Sequence, residues 1–309
     1  MTRLKFGIVD LDTSHPGEFV PIIRSMGHEV TAVYDSGTIY PAGYAEAFAG
    51  QHGIRIVAES LENMAEHVDV ALICGCNWDL HVGQALPFLS ADKGILIDKP
   101  MAGNIRDLLR IADFAKDGAR IAGGSSLRVC YEAREWSELH GSSASWVYGI
   151  TGCGVDEFNY GIHGYALLHG LLGSGFASAR YLGTSLQDQF ELEWADGRRG
   201  IVSIGKADSY LPFHASVVTG RGVHQIQVDS GKLYQALIEH ALPILSGESP
   251  ASIPPEALIA PELSALAAKR SKELGGVRVH VRDIPLDDRG FDGAAFAAAY
   301  RKQKSNKEG

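Results

Sequence analysis

Residues 5–19 read KFGIVDLDTSHPGEF, and this stretch sets the interpretation of the whole chain. An apolar run over residues 6–9 ends in a polar turn, and Pro16 then begins a segment in which apolar residues recur at helical spacing. The pattern predicts a strand, a tight turn and a helix. In an α/β protein the N–H groups at the start of such a helix point toward the carboxyl end of the strand, which makes the turn a ligand site.

The turn carries charged side chains where a phosphate-binding turn has glycines. A dinucleotide turn has the pattern G-x-G-x-x-G, and its glycines let the backbone come close to a pyrophosphate. Asp10, Asp12 and His15 occupy those positions here. A carboxylate beside a phosphate costs on the order of 1–4 kcal/mol per close pair at surface-like dielectric, and we expect Asp12 or Thr13 to cap the helix instead. The position therefore suits a ligand, but the chemistry differs from that of the usual turn.

Strands and helices alternate regularly as far as residue 122. Alternation of this kind predicts a parallel, doubly wound sheet, and near-continuous apolar strands indicate that both of its faces are covered. After the first unit, strands are predicted at residues 28–35, 55–57, 68–73, 94–97 and 119–123, and helices at 44–52, 61–67, 79–89 and 104–116.

The rhythm changes after about residue 125. Two strand pairs flank short Gly-containing turns at residues 195–198 and 219–222, a pattern typical of antiparallel hairpins. Further strands are predicted at 145–151, 179–184 and 277–281, and helices at 159–172, 231–245, 255–274 and 294–300, followed by a polar tail that should fray. We therefore predict a doubly wound α/β domain over residues 1–122 and an α+β domain with an open, mainly antiparallel sheet over residues 123–309.

Composition excludes several function classes. With 309 residues, 45% hydrophobic residues and a formal net charge of −9, the chain is typical of a soluble globular protein, without the basic surface that nucleic acid or an anionic membrane requires. No apolar run is long enough to span a membrane, and an aspartate follows the N-terminus too early for a signal peptide, so a cytoplasmic location is expected. The four cysteines, Cys74, Cys76, Cys130 and Cys153, lack zinc-site spacing, and we expect buried thiols.

Two motifs connect the chain with a known family. Residues 94–102, GILIDKPMA, form a predicted strand that ends in Asp-Lys-Pro, and residues 159–167, NYGIHGYAL, begin a predicted helix. Together with the two-domain order, they resemble the Gfo/Idh/MocA family (glucose–fructose oxidoreductase, inositol dehydrogenase and relatives), in which the strand ends in Glu-Lys-Pro and the helix bears Asp and then His. Residues 77–86, with His81, and Arg128 support the match.

The resemblance implies a Rossmann domain and an NAD(P)-dependent oxidoreductase that acts on a sugar, polyol or related hydroxy compound. It also implies a homo-oligomer, dimer or tetramer. Lys99 would hydrogen-bond the reacting oxygen, His163 would take the hydroxyl proton, and Asn159, in the place of the family's acid, would orient it. The cofactor-binding residues implied are Asp12, Thr13, Ser14, His15, Asp35, Asn77, Trp78, His81, Asp98 and Lys99.

Asp35 ends the second strand, where an acid binds ribose hydroxyls and repels a 2′-phosphate. It therefore favours NAD over NADP, although a loop-capping role before Ser36 and Gly37 is an equal interpretation.

A second hypothesis follows from the departures. The turn lacks its glycines, Asn159 cannot relay a proton, and Ala166 replaces another family Asp. A relative without free dinucleotide binding could be a binding or regulatory protein or perform other chemistry in the same cleft. A divalent ion on Asp10, Asp12 and His15 is one version of it, but helix capping accounts for two of these side chains and no metal site is assigned.

Overall fold

The computed structural model describes residues 3–141, 148–152 and 154–308. Cys153 and residues 145–147 of the predicted strand lie outside the described residues. In chain order the strands are β1 (Lys5–Val9), β2 (Glu29–Tyr34), β3 (Ile56–Val57), β4 (Val70–Ile73), β5 (Gly94–Ile97), β6 (Ile121–Gly123), β7 (Tyr148–Gly152), β8 (Phe176–Thr184), β9 (Asp188–Trp194), β10 (Arg199–Ile204), β11 (His214–Thr219), β12 (Gly222–Gln227) and β13 (Val279–His280). The helices are α1 (His15–Ser25), α2 (Tyr44–His52), α3 (Leu61–Ala65), α4 (His81–Ser90), α5 (Ile105–Lys116), α6 (Tyr131–His140), α7 (Ile162–Leu172), α8 (Leu233–Leu245), α9 (Pro255–Leu258), α10 (Ala260–Glu273) and α11 (Gly293–Glu308).

The first sheet confirms the predicted doubly wound fold. Its six strands lie in the order β3-β2-β1-β4-β5-β6, and every pairing is parallel. Val9 is in register with Ile73, which is in register with Ile97, and all three are fully buried. Because parallel strands end at the same edge, the residues that follow β1, β4 and β5 share one rim, as predicted for Asp10 and Lys99.

The second sheet is mixed but mainly antiparallel, as expected. Its seven strands lie in the order β12-β11-β7-β10-β9-β8-β13, and of these pairs only β7 with β10 is parallel. The two predicted hairpins are β9 with β10 and β11 with β12. Helix α7 packs on β7 and β10, and the segment that precedes it lines a cleft at the rim.

Two helices from the second half of the chain return to the first sheet. Helix α8 packs on β5 and β6, and its Leu237, Ile238 and Ala241 lie in one buried cluster with Leu96 and Ala122. Helix α11 packs on the loops at the rim and continues to Glu308, so the polar tail that was expected to fray is helical. The predicted helix 255–274 is interrupted at Ile259, where α9 ends and α10 begins. Among the described residues, no helix is long and apolar enough to cross a membrane.

The cysteines that the structure describes agree with the expectation. Cys74, Cys76 and Cys130 are buried free thiols, and burial raises the pKa of each of them. A buried, protonated thiol is unreactive. These residues therefore serve as packing groups.

Candidate active site

Asp10, the residue after β1, bonds to two other segments at the rim. Asp10 adopts a left-handed backbone conformation with φ of 61°, a region that Asp tolerates better than most residues. Its carboxylate accepts hydrogen bonds from the backbone N–H of Ser36 at 2.8 Å and from Nε2 of Gln84 at 2.6 Å. Asp10 therefore connects β1 with the loop after β2 and with α4, and its carboxylate does not face α1.

Asp12 is completely buried and bonds to the loop after β4. Its Oδ2 accepts a hydrogen bond from the N–H of Cys76 at 2.8 Å, and Oδ1 is buried without a hydrogen-bond partner among the described residues. Burial, followed by the charge of Asp10, raises the pKa of Asp12 to about 6. Of the two residues expected to cap α1, Asp12 is therefore wrong, because its carboxylate holds two loops together.

Thr13, the other residue expected at this position, makes the side-chain hydrogen bond at the start of α1. Thr13 Oγ1 accepts a hydrogen bond from the N–H of His15 at 3.2 Å, and the side chain of Ser14, the residue before the helix, makes no capping bond. Since both aspartates turn inward, the wall of the turn consists of Thr13, Ser14 and His15. The turn thus presents hydroxyl, imidazole and N–H groups where the sequence suggested carboxylates.

A cleft of about 490 Å³ lies between the rim and the second domain. Six segments form its walls: the turn before α1, the loop after β4, the end of β5, the segment before α7, the loop after β10 and one face of α11. Its lining includes Thr13, Ser14, His15, Lys99, Asn159, Tyr160, Lys206, Phe296, Tyr300 and Gln303. Its charged side chains include Lys99 and Lys206 and, on the segment before α7, Asp156, so the lining offers charge of both signs.

His15 and Asp98 form a close pair beside Lys99. Nδ1 of His15 contacts Oδ2 of Asp98, whose side chain is 5% exposed. Burial by itself would raise the pKa of Asp98, but His15 and then Lys99 outweigh it, and the pKa lies below its usual value. Asp98 is therefore an ionised partner that fixes the His15 ring at the edge of the cleft.

Lys99 crosses the cleft to the second domain. Its Nζ donates hydrogen bonds to the backbone carbonyl and to Oδ1 of Asn159, both at 3.1 Å. Asn159 lies in a turn, because Oδ1 of Asp156 accepts from the N–H groups of Phe158 and Tyr160 at 3.0 and 2.9 Å. As a result α7 begins at Ile162 and not at residue 159. Asn159 therefore orients Lys99. The sequence had instead predicted that Asn159 orients His163.

His163 stands behind this wall and is 7% exposed. Its Nδ1 lies 2.7 Å from Oγ of Ser125, and the same Oγ accepts from the N–H of Leu127 at 3.2 Å. Burial lowers the pKa of His163 well below its usual value, and the charges of Lys99 and His15 act in the same direction. A neutral imidazole is able to accept a proton. Ser125 was missed in the sequence, and its only signal was its place just after β6, at the same rim.

Two of the predicted cofactor contacts are structural. His81 is fully buried, with Nδ1 3.1 Å from the carbonyl of Met101 and Nε2 2.9 Å from that of Gly75. Trp78 is 2% exposed and donates from Nε1 to the carbonyl of Phe291 at 2.7 Å. Both side chains hold loops in place, so the structure does not support a ligand contact for either.

Two further predicted residues lie near the ends of β2 and β4. Asn77 Oδ1 accepts from the N–H of Asp79 at 3.3 Å. Asp35 Oδ1 accepts from the N–H of Gly37 at 2.8 Å, which is the loop-capping role, whereas Oδ2 is buried without a partner among the described residues. Burial raises the pKa of Asp35. Oδ1 of Asp35 therefore has the loop-capping role, and Oδ2 is shielded from solvent.

Comparisons with known proteins agree with this architecture. Residues 7–123 match the GFO_IDH_MocA family, described as an oxidoreductase family with an NAD-binding Rossmann fold. A probable dehydrogenase from Thermotoga maritima is similar in structure, with a TM-score of 0.76 and 14% identity over 91% of this chain and 100% of that one. A myo-inositol dehydrogenase from Lactobacillus casei, in complex with NAD(H) and myo-inositol, gives a TM-score of 0.76 and 16% identity over 90% of this chain and 97% of that one. A scyllo-inositol dehydrogenase from Lactobacillus casei, with NAD(H) and scyllo-inositol, gives 0.74 and 13% over 91% and 100%. At these identities the likeness shows the fold.

Proposed function

Because the first domain belongs to the Gfo/Idh/MocA oxidoreductases, we propose that the chain is an NAD(P)-dependent oxidoreductase of a sugar, polyol or related hydroxy compound. The reaction takes place in the cleft between the two domains. The observation that carries the proposal is the Lys99 amine, which leaves the end of β5 and is held by Asn159 from the opposite domain. An amine fixed in this way stands where a negatively charged oxygen can be stabilised.

The rim partly fits a dinucleotide. Thr13, Ser14 and His15 offer donors at the start of α1, and the inward-turned carboxylates of Asp10 and Asp12 remove the charge conflict with a pyrophosphate. Asp35, at the end of β2, is the residue that would accept a ribose hydroxyl, and its Oδ2 is buried without a partner among the described residues. These residues would hold NAD(P), with NAD preferred because a carboxylate repels a 2′-phosphate. When bound, the nicotinamide supplies the hydride acceptor or donor.

The chain's own residues account for binding and proton transfer. Lys99 hydrogen-bonds the reacting oxygen of the substrate and stabilises the charge that develops on it. His163 is kept neutral by burial and is held by Ser125, and it receives the hydroxyl proton. Asn159 fixes the lysine. A small polyhydroxy compound suits a cleft of about 490 Å³ that is lined by lysine, asparagine and tyrosine.

The test is turnover with a panel of polyols, including myo-inositol and scyllo-inositol, in the presence of NAD+ or NADP+, followed by the absorbance of the reduced cofactor. Lys99→Met and His163→Gln should each abolish turnover while the protein stays folded by circular dichroism. Lys116→Met, an exposed position on α5, is the matched control and should retain full activity. Turnover that survives Lys99→Met would contradict the assignment.

The metal version of the second hypothesis loses its support. Asp10 bonds to Ser36 and Gln84, Asp12 to Cys76 and His15 to Asp98, so the three side chains do not converge on one point. The version without free dinucleotide binding keeps one observation in its favour. Helix α11 lies over part of the rim, where Ala297 packs with Ile39 and Cys76.

A further inference from the structure

Helix α11 is anchored beside the end of β4. The N–H groups of Gly293 and Ala294, at its first turn, donate to Oδ2 of Asp79 at 2.9 and 3.0 Å. A carboxylate at this position satisfies otherwise unpaired N–H groups and favours the helix dipole. Just before the helix, the carbonyl of Phe291 accepts from Trp78. The start of α11 is therefore fixed to the loop after β4.

From this anchor the helix runs along the rim toward β2. Ala297, 3% exposed, packs in one buried cluster with Ile39 of the loop after β2 and Cys76 of the loop after β4. Further along, the Lys304 amine lies 5.9 Å from the ring centre of Tyr40 and 5.4 Å from that of Tyr300. The face beside this contact lines the cleft opposite the turn before α1. Helix α11 thus bridges the carboxyl ends of β4 and β2 and passes beside that of β1.

The space that α11 fills is the space that a dinucleotide uses. In a doubly wound sheet, the ligand lies outside the carboxyl ends of the strands at the switch point of the strand order, with its adenosine ribose at the end of the second strand. The switch point here lies between β1 and β4, and Asp35 marks the ribose position. Ile39, Cys76 and Ala297 close the groove between these two places.

We propose that α11 is an intramolecular occupant of the dinucleotide groove, so that adenosine and the docked helix exclude each other. The inference rests on the proposed use of NAD(P). A dinucleotide then binds only to the conformation in which α11 has left the rim. Its apparent dissociation constant is the intrinsic value divided by the fraction of molecules in that conformation. With a minor state of ~0.1–10%, the docked helix weakens binding by about 10- to 1,000-fold.

The composition of α11 is consistent with a helix that can undock. Along its first two turns Gly293 and Ala297 are buried, Phe296 is half-buried with its ring centre 5.0 Å from that of Trp78, and Ala294, Ala295, Ala298 and Ala299 are exposed. A helix that buries alanine removes little apolar area from water, and the stabilisation from burial scales with that area. Elements with few buried apolar contacts are the ones that open locally.

The test compares two substitutions of the same kind on adjacent positions. Ala297→Glu places a carboxylate in the buried contact with Ile39 and Cys76, whereas Ala298→Glu places it in solvent. NADH affinity is read by nicotinamide fluorescence, and undocking by hydrogen exchange of the α11 amides. We expect Ala297→Glu to bind NADH about 10- to 1,000-fold more tightly than the unaltered chain, and Ala298→Glu to bind as the unaltered chain does.

Three results would overturn the inference. Equal or weaker NADH binding by Ala297→Glu with rapid exchange in α11 would show that the helix does not compete. If Ala297→Glu fails to fold, hydrogen exchange is measured on the unaltered chain with and without saturating NADH. Competition requires that NADH accelerates exchange of the α11 amides. Unchanged protection would contradict competition but would leave the proposed function intact. Absence of NADH and NADPH binding in every variant, with α11 undocked, would remove the proposed function and the inference with it.

Discussion

Glu262 offers a sharp test of the packing between the domains. It is 1% exposed on α10, where Oε1 accepts from the N–H of Met101 at 3.1 Å and Oε2 has no partner among the described residues. Burial raises its pKa from 4.5 to about 7, although the Met101 N–H and the charge of Arg128 act in the opposite direction. The native state therefore binds a proton at Glu262 across a range of pH in which the unfolded chain has released it.

The magnitude follows from linkage. A group whose folded pKa is raised contributes stability below its unfolded pKa, and this stability is lost as pH rises from 4.5 through about 7. A gap of about 2.5 pH units corresponds to on the order of 3 kcal/mol. Glu262→Gln keeps an oxygen for the Met101 N–H but cannot ionise. Any effect of the amide itself on the free energy of unfolding is the same at all pH values. The unaltered chain loses the contribution of Glu262 as the pH rises and the variant does not, so the free energy of unfolding of the variant relative to the unaltered chain should rise by about 2–3 kcal/mol between pH 5 and pH 8.

Urea unfolding at these two pH values measures the difference directly. Glu256→Gln, on the exposed side of α9, is the matched control and should show the same small difference at both. If Glu262→Gln shows a stability difference that does not change with pH, then Glu262 does not titrate across this range and the argument from burial fails.

Three further predictions concern the cleft and its turn. Ser125→Ala should lower kcat about tenfold or more with little change in KM, because His163 loses the hydroxyl that orients it; a KM effect alone would contradict this. Asp35→Ala should narrow the gap between NAD and NADP affinity in a fluorescence titration, and equal affinities in the unaltered chain would refute the preference. Asp12→Gly should be about 1–3 kcal/mol less stable than Asp12→Asn in urea unfolding, because only Asn keeps an acceptor for the buried N–H of Cys76; equal stabilities would show that this bond contributes nothing.

Periodicity was sufficient to predict both sheets. Apolar runs such as residues 70–73 and 94–97 are buried on both faces, and their ends are at one rim, so the neighbourhood of Asp10 and Lys99 followed from topology alone. The Gly-containing turns at residues 195–198 and 219–222 predicted the β9–β10 and β11–β12 pairs. These features are local or repeated, and a single sequence contains them.

Side-chain directions at the rim could not be predicted. Asp10 faces away from the turn because its backbone is left-handed, and Asp12 bonds to Cys76, which is 64 positions away along the chain. Helical spacing predicted that Asn159 and His163 interact with each other. Because the turn at Asp156 delays the start of α7 to Ile162, Asn159 bonds to Lys99 and His163 to Ser125. The position of α11 depends on contacts with Ile39 and Cys76, which are distant in the sequence. The alanine-rich pattern of the helix does not predict these contacts.

The position of α8 has a consequence for biosynthesis. On one face of the first sheet α8 covers β5 and β6, and its Leu237, Ile238 and Ala241 lie in the same buried cluster as Leu96 and Ala122. A nascent chain that ends after β6 therefore lacks this cover over Leu96 and Ala122. The residues between β6 and the end of α8 take roughly 6–25 seconds to synthesise at ~5–20 residues per second. During that interval we expect this part of the sheet to remain incompletely packed. The first domain is therefore completed only after most of the second has been made. A fragment that ends at residue 123 and unfolds cooperatively by itself would contradict this.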